Sequence, residues 1–125
     1  MIKAEGRPKT AGTYLVVLAD YLVAQDLAES IVVYDADAEV LVLHSASRAA
    51  AALEKVERIA VAFVDAGPEL FGASELAQMI QSRGGRVVLL GDEAEAAGGA
   101  LGWSVLQRPF SEALVLAHLA GVGPV

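Results

Sequence analysis

Short apolar runs punctuate this chain, and three of them hand over directly to a polar residue or glycine. Ile59-Ala60-Val61-Ala62-Phe63-Val64 ends at Asp65, Val87-Val88-Leu89-Leu90 ends at Gly91-Asp92, and Val105-Leu106 ends at Gln107-Arg108-Pro109-Phe110. Runs this short and this apolar read as strands buried on both faces, the habit of a parallel sheet. In such sheets the working residues gather just outside the C-terminal ends of the strands. The three endings therefore mark a candidate site along one edge.

The rest of the chain supplies the partners of such a sheet. Residues 13–18 (Thr-Tyr-Leu-Val-Val-Leu) read as a first, central strand. Val23, Leu27, Ile31 and Tyr34 recur at the spacing of one helical face and predict a helix over about 21–35. Asp35, Asp37 and Glu39 read as a solvated turn, with no bidentate glutamate at the spacing of an EF-hand. Residues 40–44 give the second strand, and Ser47 is read as the N-cap of a helix facing inward through Ala49, Ala52, Leu53 and Val56. After the third strand, residues 59–65, Gly67-Pro68 breaks the chain. Ser74 then caps a helix buried through Leu76, Met79 and Ile80, which Gly84-Gly85 ends.

Residues 86–90 are the fourth strand. Gly98, Gly99 and Gly102 each disfavour helix by about 1 kcal/mol relative to alanine, so the fourth helix should be about one to two turns or absent. Residues 103–106 form the fifth strand, and Ser111 caps a last helix docked through Leu114, Ala117 and Leu119. Residues 1–12, with Gly6, Pro8 and Gly12, read as a mobile leader, 13–121 as one domain and 122–125 as a tail. Five strand–helix units require right-handed crossovers and a doubly wound α/β sheet covered on both faces.

Composition narrows the function. The chain has 125 residues, 55% hydrophobic and 20% charged, enough for one core and unlike a disordered segment. No apolar run approaches the ~20 residues of a membrane span, and no signal-peptide core precedes the first charges. Without cysteine there is no disulfide framework and no thiolate metal site, which fits a cytoplasmic protein. The net charge is −7, with +2 over residues 1–9 and −9 beyond them. So acidic a domain, with no basic stripe, argues against nucleic-acid partners.

The order of the strand endings, with Arg108-Pro109-Phe110 last, resembles the receiver domain of two-component response regulators over about residues 13–120. The resemblance implies a flavodoxin-like five-stranded sheet in the order 2-1-3-4-5, here with the fourth helix shortened by its glycines. It also places Asp65 at the phospho-acceptor position, where the family uses a carboxylate nucleophile, a divalent cation and donors for the phosphoryl oxygens. In the family an acidic pair after the first strand helps to hold the cation, a Thr or Ser ends the fourth strand, and a Lys-Pro pair with a cis bond ends the fifth. Here Leu18 and Ala19 fall at the acidic pair, Gly91 at the Thr/Ser, and Arg108-Pro109 at the Lys-Pro. Asp20 lies one position beyond the pair, so Asp20 and Asp65 make a thin cage for Mg²⁺, which prefers octahedral oxygen ligands. The expectation is no cofactor, with Mg²⁺ as the alternative.

The leading reading is a stand-alone, atypical receiver-like domain, or pseudo-receiver, in two-component signal transduction. It is not an enzyme, and it acts by protein–protein contact with phosphorylation impaired or lost. The alternative is a functional single-domain response regulator of a phosphorelay, phosphorylated on Asp65, with Asp20 and Asp92 replacing the lost ligands. A small flavodoxin-like ligand-binding domain is a third reading that the fold permits. On structural grounds alone, Asp65 would cap backbone amides of residues 66–69 or pair with Arg108, and Arg108 would pair with Asp65 or Asp92. With no close acidic neighbour to raise its pKa and Arg108 nearby, Asp65 is expected to favour its ionised form.

The partner would be a histidine kinase or a downstream regulator, with no membrane contact. A homodimer is also expected, through a face of residues 92–107 and the last helix, because an edge strand carrying Trp103 and Val105 invites pairing. His44 and His118 lack catalytic company and read as packed or exposed. Residues 97–102 lack the context of a dinucleotide loop.

Overall fold

The computed structural model describes residues 12–97 and 103–121. The order of elements is β1 (Thr13–Val17), α1 (Tyr21–Tyr34), β2 (Glu39–Leu43), α2 (Ala46–Leu53), β3 (Val61–Asp65), α3 (Pro68–Gly72), α4 (Glu75–Ser82), β4 (Arg86–Leu90), α5 (Asp92–Ala97), β5 (Ser104–Val105) and α6 (Glu112–Leu119). All strand pairs are parallel and the sheet runs β2-β1-β3-β4-β5, as the sequence implies. Most of the expected leader, the tail, and residues 98–102 lie outside the described residues.

The strands look uniformly apolar in sequence, yet each alternates between two cores. Leu15, Val17, Ala62, Val64, Val87 and Leu89 pack towards α2, α3, α4 and α5, through Ala49, Leu53, Phe71, Leu76, Ile80 and Ala94. Tyr14, Val16, Val61, Phe63, Val88 and Leu90 pack towards α1 and α6, through Ala24, Leu27, Ile31, Val115 and Leu119. Period-two side chains within continuous apolar strands are what a sheet covered on both faces demands.

Several local readings need correction. The buried stripe of α1 is Ala24, Leu27, Ser30 and Ile31, while Tyr34 is 45% exposed. Tyr34 ends the helix beside the turn, so its position on the face no longer brings it over the sheet. The N-cap of α2 is Ser45, in extended backbone, whose hydroxyl accepts from Arg48 N at 3.3 Å; Ser47 lies inside the helix. Gly67-Pro68 opens α3 instead of breaking the chain, since proline at the first helical position has its φ already set. The expected cap at Ser74 holds, its hydroxyl accepting from Ala77 N at 3.1 Å. Gly84, at φ +78°, ends α4 with Gly85 N donating to Ile80 O and Gly84 N to Gln81 O, a Schellman closure. The shortened fourth crossover helix appears as the six-residue α5. Ser111 caps α6, which is buried through Val115, His118 and Leu119, with Ala117 only partly covered.

Asp35 is not in a solvated turn. It is 6% exposed and its carboxylate accepts from Gly12 N at 2.9 Å, Tyr14 Oη at 3.1 Å and Asp37 N at 3.2 Å. Three donors compensate the burial of its charge and tie the end of α1 to the start of β1. Burial, with Asp35 beside it, pushes the Tyr14 hydroxyl up to about 12.

His118 is the converse case. It is 4% exposed on α6 and its Nε2 has no hydrogen-bond partner. Burial, then the nearby Arg86 guanidinium, hold its pKa below the usual histidine value. Arg86 itself donates to the carbonyls of His118 and Leu119 at 2.9 and 2.8 Å, closing the C-terminal end of α6. A histidine that resists protonation when folded stabilises the fold above its unfolded pKa of about 6.5, and that contribution is lost as pH falls through 6.5 towards the folded value. Urea melts at pH 7.5 and 5.5 should show the wild type losing more stability on acidification than His118→Leu, by up to about 1.4 kcal/mol per pH unit. Equal losses would show that the histidine does not govern acid sensitivity.

Candidate functional site

The C-terminal edge of the sheet is built by β3. Val64 pairs with Val17 on one side and Asp65 with Leu90 on the other, so the Asp65 backbone is fixed between two strands while its side chain is exposed. Leu18 follows β1, His44 follows β2, Gly91 follows β4 and Arg108 follows β5. A groove of about 400 Å³ opens beside Asp65, walled by Leu18, Ala19, His44, Leu70 and Phe71.

Asp65 does neither thing expected of it on structural grounds. Its carboxylate forms no hydrogen bond and no ion pair among the described residues. Its pKa is raised, chiefly because the sheet edge strips part of its water. Arg108 acts against that rise, and Asp92 and Glu93 add to it. The expectation of an isolated, readily ionised Asp65 is therefore corrected: desolvation and two acidic neighbours outweigh the arginine.

Arg108 is turned towards α5. Its Nε donates to Glu95 Oε2 at 2.7 Å, its Nη2 to Glu95 Oε1 at 3.2 Å, and its backbone N to Glu95 Oε2 at 3.1 Å; Nη2 also contacts Asp92 Oδ1. Asp92 was anticipated as a partner and Glu95 was not. The two carboxylates stand three residues apart on one helix face, the spacing at which they can share a guanidinium. Glu95 and then Asp92 raise the arginine's pKa further, and Arg108 in turn lowers that of Glu95. The Arg108–Pro109 bond is cis, as the resemblance implies.

Gly91 does more than omit a hydroxyl. It adopts φ +105°, and a Cβ there would fall on Asp65 Oδ1. Any side chain at this position must both strain the backbone and displace the carboxylate. Asp20 is the N-cap of α1, its Oδ1 accepting from Leu22 N and Val23 N at 3.0 and 3.2 Å. The acidic-pair positions, Leu18 and Ala19, bring hydrocarbon to the groove instead. With one carboxylate on the groove, Asp20 engaged as a cap, and no cluster of three metal-binding side chains among the described residues, this donor set does not fit octahedral Mg²⁺.

Of the interface candidates only Val105 is on the edge strand, since β5 is shorter than the expected 103–106 and Trp103 just precedes it. Trp103 packs edge-on against Phe71, with ring centroids 5.3 Å apart, and Val105 is partly buried against the same core. Two features escaped the sequence. His44 Nδ1 donates to Leu18 O at 2.8 Å, and its ring stacks on Tyr21 at 4.0 Å between centroids. Leu70, on the unforeseen α3, is 78% exposed at the groove wall.

A parallel sheet in this order, with an aspartate ending β3 and a cis proline after β5, places the architecture. The fold is that of response-regulator receiver domains. Solved structures agree: the chemotaxis response regulator CheY4 of Vibrio cholerae is 22% identical, with TM-score 0.65 over 90% of this chain and 98% of that one. A response regulator receiver protein from Sinorhizobium medicae is 17% identical, with TM-score 0.60 over 90% and 94%. A structure described as an adenylate cyclase from Rhodopirellula baltica is 23% identical, with TM-score 0.67 over 90% and 87%. No protein-family model and no curated protein matches the chain.

The Gly91 geometry yields a direct test. Gly91→Ala should destabilise the fold by about 1–3 kcal/mol, the cost of holding alanine at such a φ. Because the Asp65 carboxylate can swing aside, Asp65→Ala in the same chain should restore only a minor part. Full rescue in a double-mutant cycle of denaturant melts would assign the cost to the collision instead of the backbone.

Proposed function

We propose that the chain is an atypical receiver-type signalling domain of two-component systems that works by contact with a protein partner, with phosphorylation of Asp65 impaired or lost. One observation carries the reading: Asp65 keeps the phospho-acceptor position while every group that would assist transfer is replaced or engaged elsewhere. Leu18 and Ala19 stand in place of the cation-holding pair, Gly91 offers no hydroxyl, and Arg108 is held by Glu95 and Asp92. Phosphoryl transfer to a carboxylate depends on a divalent cation and positioned donors to offset developing charge, and neither has a built place here. The domain then has no resident cofactor and no catalysis of its own. Its partner is a histidine kinase or a downstream regulator, in the cytoplasm. No described helix is long and apolar enough to cross a membrane.

The alternative, a regulator phosphorylated on Asp65, is favoured only by the exposure and free carboxylate of that residue. Incubation with acetyl phosphate and Mg²⁺ followed by intact-mass measurement decides between the two. The expected outcome is an unchanged mass and no saturable Mg²⁺ binding in the low-millimolar range. A gain of one phosphoryl group, abolished by Asp65→Asn, would establish the alternative.

We also propose that the β5 side mediates self-association. β5 is two residues long at the end of the sheet, with Ser104 exposed and Val105 partly buried, and a short edge can accept another chain. Sedimentation at ~100 µM should show a dimer that Val105→Lys disrupts, with Ser104→Lys on the exposed position as a control that preserves the core. A wild-type monomer, or a dimer indifferent to both charges, removes the idea.

A further inference from the structure

The groove beside Asp65 has a composition of its own. Its volume of about 400 Å³ lies within the range of roughly 300–1,000 Å³ usual for small-molecule sites. Its walls are mainly apolar, through Val17, Leu18, Ala19, Leu70, Phe71 and Leu76. Three of its polar lining groups already have local partners: Ser74 Oγ accepts from Ala77 N and donates to Phe71 O, Ser45 Oγ accepts from Arg48 N, and His44 Nδ1 donates to Leu18 O. Among the lining side chains, the Asp65 carboxylate is the one charged group without a hydrogen-bond partner among the described residues, and His44 Nε2 is the other polar atom left free.

These facts select a ligand class by elimination. No lysine or arginine lines the groove and its one acidic side chain is the Asp65 carboxylate, so an anion such as a phosphate or carboxylate is disfavoured. A single lining carboxylate among hydrocarbon walls is also a poor cage for a hydrated metal ion. A neutral apolar molecule would leave the carboxylate desolvated and unpaired. What remains is a molecule carrying one positive charge on an apolar body.

We propose that this groove is a binding site for a small organic ammonium ion of the arylalkylamine class, with its charge on Asp65 and its hydrocarbon against Leu18, Ala19, Leu70 and Phe71. The charge-assisted hydrogen bond supplies orientation and the apolar walls supply burial. The stacked Tyr21–His44 pair forms one flank, with His44 on the wall and its ring held by Leu18 O. The receiver position that ordinarily helps to hold a cation by carboxylates would here hold one by hydrocarbon and a single charge. This inference does not depend on a protein partner or on dimer formation.

The test is a titration of the ¹⁵N-labelled full chain with 2-phenylethylamine, followed by amide chemical shifts and calorimetry. Ethylamine serves as charge without body, and phenylacetate as body with the opposite charge. Saturable shifts are expected at Ala19, Leu70 and Phe71, with a dissociation constant at or below about 1 mM. Ethylamine and phenylacetate should each bind at least about tenfold more weakly, and Asp65→Asn should weaken 2-phenylethylamine by a similar factor. Ala46→Trp, at an exposed position on the groove wall, should block binding while leaving shifts remote from the groove unchanged. Absence of saturable shifts in the groove, equal binding of phenylacetate or ethylamine, or an Asp65→Asn variant that binds as well as the wild type would each overturn the proposal.

Discussion

The position of Asp65 depends on the central placement of β3. That strand is hydrogen-bonded to β1 and β4 and sends Ala62 and Val64 into one core, Val61 and Phe63 into the other. Phe63 and Ala62 are fully excluded from solvent, so a one-residue slip of the strand would send each set into the core shaped for the other. The last residue of such a strand is rigid by inheritance. A carboxylate placed there is held at the sheet edge by burial energy spent elsewhere, whatever its immediate neighbours provide.

Around that fixed point the charged groups act as a connected set, Asp92 and Glu93 on one side and Arg108 against them. Carboxylates at positions 18 and 19 would add like charge beside Asp65 and raise its pKa further. With Leu18 and Ala19 on the groove, the acidic influence on Asp65 comes from Asp92 and Glu93, and Arg108 opposes it. Arg108 makes its ion pairs with Glu95 and Asp92, which anchors the chain after β5 to α5. Exposed ion pairs of this kind are individually weak and salt-sensitive, but a guanidinium meeting Glu95 through two nitrogens gains geometric definition. Arg108 thus serves as a brace for a short helix and a short strand.

Much of the architecture was legible in the sequence, because strand order and helix placement follow from apolar period and capping residues that act locally. Ser74, Ser111 and the Gly84-Gly85 stop read correctly for that reason. Misreadings arose where two local signals compete. Ser45 and Ser47 both precede the alanine run, and only backbone geometry chooses between them. Pro68 is a stop signal within a helix and a start signal at its first turn. The site was less legible because its decisive facts are relations between distant elements. Sequence spacing offers Asp92 to Arg108 but does not reveal that Glu95 takes the larger share, nor that Asp65 leans over Gly91. The groove itself was invisible, since Leu70 belongs to a helix that the Gly-Pro pair concealed.

Gly91 joins these strands of argument. With β4 ending in a left-handed glycine, the Asp65 carboxylate occupies the space that a Cβ would fill, and a serine or threonine could return only by pushing it out. A side chain at position 91 would therefore disturb Asp65, and acidic side chains at positions 18 and 19 would add like charge beside it. Leu18, Ala19, Gly91 and Arg108 together define the surroundings of Asp65 at this edge. Gly91 leaves room for the Asp65 carboxylate, Leu18 and Ala19 set hydrocarbon beside it, and Arg108 is tied to Glu95 and Asp92 on α5.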